Sequence, residues 1–180
     1  MSDSYNEWRR AYAPLVGLEL DALAWMPITA DTQHVVANLR TPAFVFSGAV
    51  LIVSVDGQEL HVTWTWKSEH YQLAAARELD WQSDCLDRIR CGFDGPWEGI
   101  QGGKLTEMRL FLAPDWGDKL QVAGVRHTVL HSNGEAFFWI GCGDANGIGD
   151  HDDLWVGVNI EPANHADLAE VLVLKDQAKT

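Results

Sequence analysis

The sequence predicts a mainly β (α+β) fold, a single domain built on an antiparallel sheet with two β-hairpins and two or three short helices. Two apolar, β-branched runs end in Asp56-Gly57 and Asn133-Gly134 turn signals, and each is followed by a second alternating run. The 180 residues are 47% hydrophobic and 22% charged, which excludes disorder, coiled coil and collagen-like sequence. A chain of this length buries roughly 70% of the surface it exposes when unfolded, so a core forms without staples.

The elements follow in order. Residues 1–14 read as a helix: Ser4 and Glu7 have capping-box spacing, Tyr5, Trp8 and Tyr12 recur at helical intervals, and Pro14 stops the run. Leu15 to Met26 fits both helical and strand periods. The first hairpin spans 44–67, with Phe44 to Val55 as one strand and Leu60 to Lys67 as the next. A two-residue Asp56-Gly57 loop would set Val53 against Leu60, Leu51 against Val62 and Ala49 against Trp64. Leu51, Val53, Leu60, Val62 and Trp64 would then share one buried face. The second hairpin spans 120–142 and, with Asn133-Gly134 as its loop, pairs Leu130 with Phe137 and Thr128 with Trp139. Both hairpins are expected in one sheet. Further strands are expected at Leu105 to Leu112 and Leu154 to Ile160. Tyr71 to Glu78 fits a strand or an Ala-rich helix. Ser83 is placed to cap a helix running to Ile89, and Asn164 and Asp167 to open one backed by Leu168, Val171 and Leu172.

Charge is unevenly spread. The net charge is −13, which argues against a general nucleic-acid binder, because phosphates are gripped by Lys and Arg. Residues 127–174 hold eight acidic residues and no Lys or Arg. Such a block repels itself unless a cation or a basic partner neutralises it; the alternative is a solvated face that aids solubility.

Within that block lies the acidic Gly/Asp loop 143–153. Asp144, Asn146, Asp150, Asp152 and Asp153 are candidate calcium ligands, since hard cations want several oxygens on a sharply turning backbone. Asp144, Asn146, Gly147, Gly149 and the run Asp153-Leu154-Trp155-Val156-Gly157 locally resemble the calcium loop of integrin-type propeller repeats. That likeness covers about fifteen residues with Ile148 at a ligand position, and it occurs once where a propeller needs several blades. A Gly/Asp-rich connection between strands is the competing reading. A dinucleotide turn at Gly141-x-Gly143 is excluded, because Asp-rich sequence and a strand follow where a helix would have to face pyrophosphate.

Catalytic signatures are sparse. His127 and His131 would sit about 13 Å apart along a strand, too far to share a metal. No Gly-x-Ser-x-Gly elbow is present, and Cys85, Cys91 and Cys142 have neither zinc nor redox spacing. Nine tryptophans are many for this length. Trp64 and Trp66 share a strand face, where stacked indoles could grip sugars or anchor a protein partner; the competing reading, a bulky core, is the one expected of a tryptophan on a strand. Trp97 and Trp116 lie in Gly/Pro/Asp-rich connections and are the candidate partner contacts, together with Asp150, Asp152 and Asp153. The polar start Met1 to Glu7 and the lack of a 20-residue apolar run predict a cytoplasmic protein with no membrane partner.

The order of signals adds a family likeness. Val53-x-x-Asp56-Gly57 leads into Trp64-x-Trp66. A Leu79-Asp80-Trp81 corner follows, then Gly95-Pro96-Trp97-x-Gly99-Ile100, and finally the Asn133-Gly134 hairpin with its acidic loop. Over residues 44–157 this layout resembles the small acidic, β-rich bacterial immunity proteins that block polymorphic toxins. The resemblance implies a non-enzymatic protein that binds a basic toxin through an acidic face, with no cofactor. Two other classes stay open: a small-ligand or Ca2+ binder built on 144–153, and an enzyme whose residues meet only in space.

Overall fold

A computed structural model describes residues 5–67, 69–79, 88–90, 95–113 and 122–177. The helices are α1 (Asn6–Tyr12) and α2 (Thr32–Asn38). The strands are β1 (Leu20–Pro27), β2 (Ala43–Phe46), β3 (Gly48–Ser54), β4 (Glu59–Lys67), β5 (His70–Ala76) and β6 (Ile89–Arg90), followed by β7 (Lys104–Leu112), β8 (Gly124–His131), β9 (Gly134–Asp144), β10 (Gly147–Ile148), β11 (Leu154–Val158) and β12 (Ala169–Lys175). They form two antiparallel sheets. One has five strands in the order β5-β4-β3-β1-β6; the other has seven, running β12-β7-β8-β9-β11-β2 with β10 beside β9. The mainly β class is as expected, but the two hairpins occupy different sheets.

The reason lies at Ser47-Gly48, where the stretch read as one strand from Phe44 to Val55 breaks in two. Gly48 has φ of +155°, and a Cβ there would stand 2.2 Å from the Met26 carbonyl oxygen. Only glycine lets the chain pass so close to β1 as it leaves one sheet for the other. The inner faces of both sheets then feed one core, in which Trp25, Val50, Ile52, Leu60 and Val62 meet Phe46, Leu105, Val125, Phe138 and Ile140.

The first hairpin corrects the expected register. Gly57 N–H donates to Ser54 O and Ser54 N–H to Gln58 O, each at 2.9 Å, so the loop is Val55-Asp56-Gly57 with Gly57 at φ +83°. That is the three-residue loop in which a turn ends on a left-handed glycine. Ser54 Oγ bonds the Asp56 carboxylate and accepts Gln58 N–H at 2.9 Å, favouring the longer loop. The slip is one residue: Ile52 faces Leu60 and Leu51 faces His61. Because side chains alternate, Leu51 moves to the opposite face from Leu60, Val62 and Trp64. There it joins a smaller cluster with Ala24, Met26, Ala49, Leu79 and Val53.

The second hairpin slips by two. His131 pairs Gly134, Leu130 pairs Glu135 and Thr128 pairs Phe137, with the positive φ at Gly134. An even slip preserves every face, so Val129 and Phe138, expected opposite one another, still share a face, and with Val125 and Ile140 they enter the core.

The 71–78 stretch is strand as far as Ala76, in β5. At 164–174 the helix expectation fails: a single 3-10 turn, His165–Asp167, precedes strand β12. Val171 to Leu174 is a short, continuous apolar run with two β-branched valines, and its pairing with β7 outweighs the capping signal at Asn164. The N-cap of α1 is Tyr5, without a side-chain cap bond, and Ser4 lies outside the described residues. The helix expected from Ser83 to Ile89 falls outside them through Asp87, and at its far end Ile89 pairs as strand in β6; most of the Leu79-Asp80-Trp81 corner also lies outside the described residues. Among the described residues no helix is long and apolar enough to cross a membrane.

Candidate functional site

The acidic loop is held from several sides. The Asp144 carboxylate accepts Asn146 N–H at 2.8 Å and the Asn146 amide at 3.0 Å, a turn closed by its own side chains. These bonds hold the Asp144 carboxyl below its usual range. The chain then doubles back, pairing Gly147-Ile148 with Gly143-Asp144.

Ile148 explains the glycines around it. Its side chain is buried on the outer face of the seven-stranded sheet, packed with Trp139, Phe111 and Trp155. A Cβ at Gly141 would stand 2.5 Å from Ile148 Cδ1, and one at Gly124 3.0 Å, so these glycines make the hollow it fills. Asn164 brackets the plug: its Oδ1 accepts Ile148 N–H at 3.0 Å and its Nδ2 donates to Ile148 O at 2.7 Å. Gly149 N–H donates to Cys142 O and Gly143 N–H to Asp153 O. The loop is thereby pre-organised.

Asp150 carries the loop across to the other sheet. Its carboxylate accepts Tyr71 N–H at 2.6 Å and meets His70 Nδ1 at 2.8 Å. Partial burial pushes this carboxyl up, but His70 and the Tyr71 amide outweigh burial and hold it below the usual range. At the sheet crossover the Ser47 hydroxyl donates to Asp152 O at 3.5 Å and Ser47 N–H donates to Asp31. Burial, then the neighbouring Asp152 charge, raises the Asp153 carboxyl, with Asp31 adding to the effect.

The aromatic residues at this rim are Trp66 and Tyr71, cross-strand neighbours whose rings meet at 4.7 Å and 66°. Trp66 is 57% exposed. It lies past the reach of the core near the end of β4, while Trp64 on the same face packs against the core and meets Tyr71 edge-on at 5.6 Å. Tyr71 therefore joins two features: its amide is held by the acidic loop and its ring by the exposed tryptophan.

Trp97 is corrected as a surface contact. It is 2% exposed, its ring lies 4.9 Å from Trp25, and its indole N–H donates to Thr41 O at 2.9 Å. The turn at Gly95 folds the 3-10 helix Glu98–Ile100 inward, so a loop position here carries a core side chain. Trp116 lies outside the described residues. The five candidate calcium ligands do not converge: Asp144 serves its own turn, Asp150 serves β5, and among the described residues no group of three or more His, Cys, Asp or Glu side chains is placed to hold a metal. The acidic segment is also partly neutralised. Glu170 pairs with Arg109 at 2.8 Å and Glu161 lies 3.6 Å from Arg126, both lining a cleft of about 780 Å³ on the outer sheet face.

His127 is a core residue. Its Nδ1 meets the Phe138 carbonyl at 3.3 Å and its Nε2 meets the Tyr12 hydroxyl at 3.0 Å. A carbonyl only accepts, so Nδ1 carries the proton and Nε2 accepts from Tyr12. Burial lowers its pKa to about 3, which keeps it neutral.

Sequence reasoning missed His70, Tyr71 and the exposure of Trp66. The available signal was the position of Trp66 beside the end of its strand; the link from Asp150 to His70 spans 80 positions and has no local signature. The chain matches no family model, and no curated protein or solved structure matches it significantly.

Proposed function

We propose that this chain is a binding protein that engages a basic protein partner at the rim where loop 143–153 meets Trp66 and Tyr71, most concretely as an immunity-type inhibitor of a basic toxin. The observation that carries the reading is the double engagement of Tyr71, with Asp150 on its amide and Trp66 on its ring. An exposed indole on an acidic chain suits a partner Arg or Lys, which stacks on the ring while the acidic surface favours its charge. Fixing the loop in advance lowers the ordering cost of association. The charge of −13 speeds encounter with a basic surface.

Trp66 replaces Trp97 as the expected anchor, and Asp152 and Asp153 remain the charges available to steer. Asp150 differs, because its carboxylate is already engaged by His70 and Tyr71.

Co-expression tests this reading. Producing the chain together with the product of its adjacent gene should relieve that product's toxicity to the cell, and Trp66→Ala should weaken the protection. An adjacent product that is harmless, or toxic without relief, would overturn the immunity form of the proposal.

A further inference from the structure

The edges of the two sheets are treated unequally. On β5 two outward amides are bonded, Tyr71 to the Asp150 carboxylate and Leu73 to Val122 O at 2.8 Å. On β2, helix α2 packs alongside and the Thr41 hydroxyl donates to Ala43 O at 3.0 Å. β6 is only two residues long. β12 has seven residues, and among the described residues nothing bonds its outward backbone groups.

Those groups can be named. Asp176 N–H donates to Thr106 O at 2.9 Å, so in the alternation of an antiparallel ladder Leu174 and Leu172 turn their backbones toward β7. Val173 and Lys175 turn theirs outward, each offering one N–H and one C=O. The irregularity between Glu170 and Leu172 ends this regular stretch on the other side. Val171, Val173 and Leu174 are only half-buried.

Local charge differs from that of the whole chain. Around β12, Lys104 pairs with Asp176, Lys175 and Arg109 with Glu107, and Arg109 with Glu170. Three cations meet three acids, so on a chain of net charge −13 this edge is locally neutral. Two copies can meet here without bringing unpaired charge together.

We propose that β12 pairs antiparallel with β12 of a second copy, on a two-fold axis at Leu174, joining two seven-stranded sheets into one. This register sets Val173 opposite Lys175 of the second copy, twice over, so that all four outward donor and acceptor pairs are used by regular residues. Leu174 meets its own counterpart in a close non-hydrogen-bonded pair on the core side, covering a side chain that one copy leaves half-exposed. The pairing is independent of the partner surface at Trp66.

Sedimentation equilibrium at about 100 μM protein, a hundredfold above a ~1 μM dissociation constant, tests it. The expected mass is twice the 20.0 kDa of one chain. Val173→Lys sets lysine opposite Lys175 of the second copy and should return the mass to one chain. Val173→Glu sets an acid there and should keep the dimer. Amide exchange at Val173 and Lys175 in the parent should slow as concentration rises, which requires no variant. A monomeric parent, a Val173→Lys dimer, loss of the dimer in both variants, or concentration-independent exchange would each overturn the proposal.

Discussion

The carboxylate of Asp150 accepts the backbone N–H of Tyr71 at 2.6 Å, tying a loop of the seven-stranded sheet to the edge of the five-stranded one. A β-edge amide must find a partner or stay solvated, and an ionised acceptor makes a strong bond to it. The same carboxylate meets His70. Asp150 is thus a clamp between sheets, while its neighbour Asp152 is exposed and Asp153 half-buried.

Removing the clamp should therefore cost stability. Asp150→Ala should lower the unfolding free energy by about 1–2 kcal/mol, the lower part of the range for bonds to a charged group, because the site is partly solvated. Asp150→Asn keeps an acceptor for Tyr71 and should lose less. Urea unfolding measures both, and faster exchange of the Tyr71 amide in Asp150→Ala alone would locate the effect.

Ile148 and Gly141 should behave as a coupled pair. Ile148→Ala should cost about 2–5 kcal/mol by emptying the hollow on Trp139. Gly141→Ala should cost about 1–3 kcal/mol by overpacking against Ile148 Cδ1. In the double variant the added methyl meets the vacated space, so the sum should fall short of additivity by about 1 kcal/mol or more. Strictly additive losses in a double-mutant cycle would contradict this packing.

His127 sets a pH dependence with a definite sign. Its folded pKa of about 3 lies below the ordinary 6.5, so between those values the unfolded chain binds a proton that the folded chain refuses. Stability from this residue is present above pH 6.5 and is lost as pH falls toward 3, at up to about 1.4 kcal/mol per pH unit. His61, also pushed down by burial, acts in the same direction. Urea unfolding at descending pH should show the loss, and His127→Gln should make it shallower.

These packing relations also mark what the sequence could disclose. Apolar alternation identified the strands of both hairpins, because a half-buried strand must alternate whatever its partner. The register of the first hairpin was hidden by Ser54, whose hydroxyl bonds Gln58 N–H and Asp56 and favours the three-residue loop over the Asp56-Gly57 one. A one-residue difference then put Leu51 on the opposite face from Leu60. The second hairpin slipped by two and kept its faces. Trp97 shows the opposite failure, since a loop's composition does not say which way its side chain points. The clamp from Asp150 to β5 was invisible because it depends on a sheet-to-sheet approach that no local pattern encodes.

Calcium should have little to bind. Asp144 and Asp150 already accept protein N–H donors, so about 1 mM calcium should leave the melting temperature where an equal ionic strength of sodium chloride leaves it. A rise of several degrees that vanishes in Asp144→Ala would show that loop 143–153 takes the cation.

If the acidic loop and Trp66 form one binding rim for a basic protein, association kinetics with the product of the adjacent gene should carry the signature of both. Measured on a surface at two salt concentrations, the on-rate should fall as salt rises, because exposed charges are screened beyond about 8 Å at physiological ionic strength. Replacing Asp152 and Asp153 together by Asn should lower the on-rate more than it raises the off-rate. Trp66→Ala should chiefly speed dissociation, by about tenfold or more for a buried anchor. Salt-independent association, with both variants binding like the parent, would mean that loop 143–153 and Trp66 do not form a binding rim.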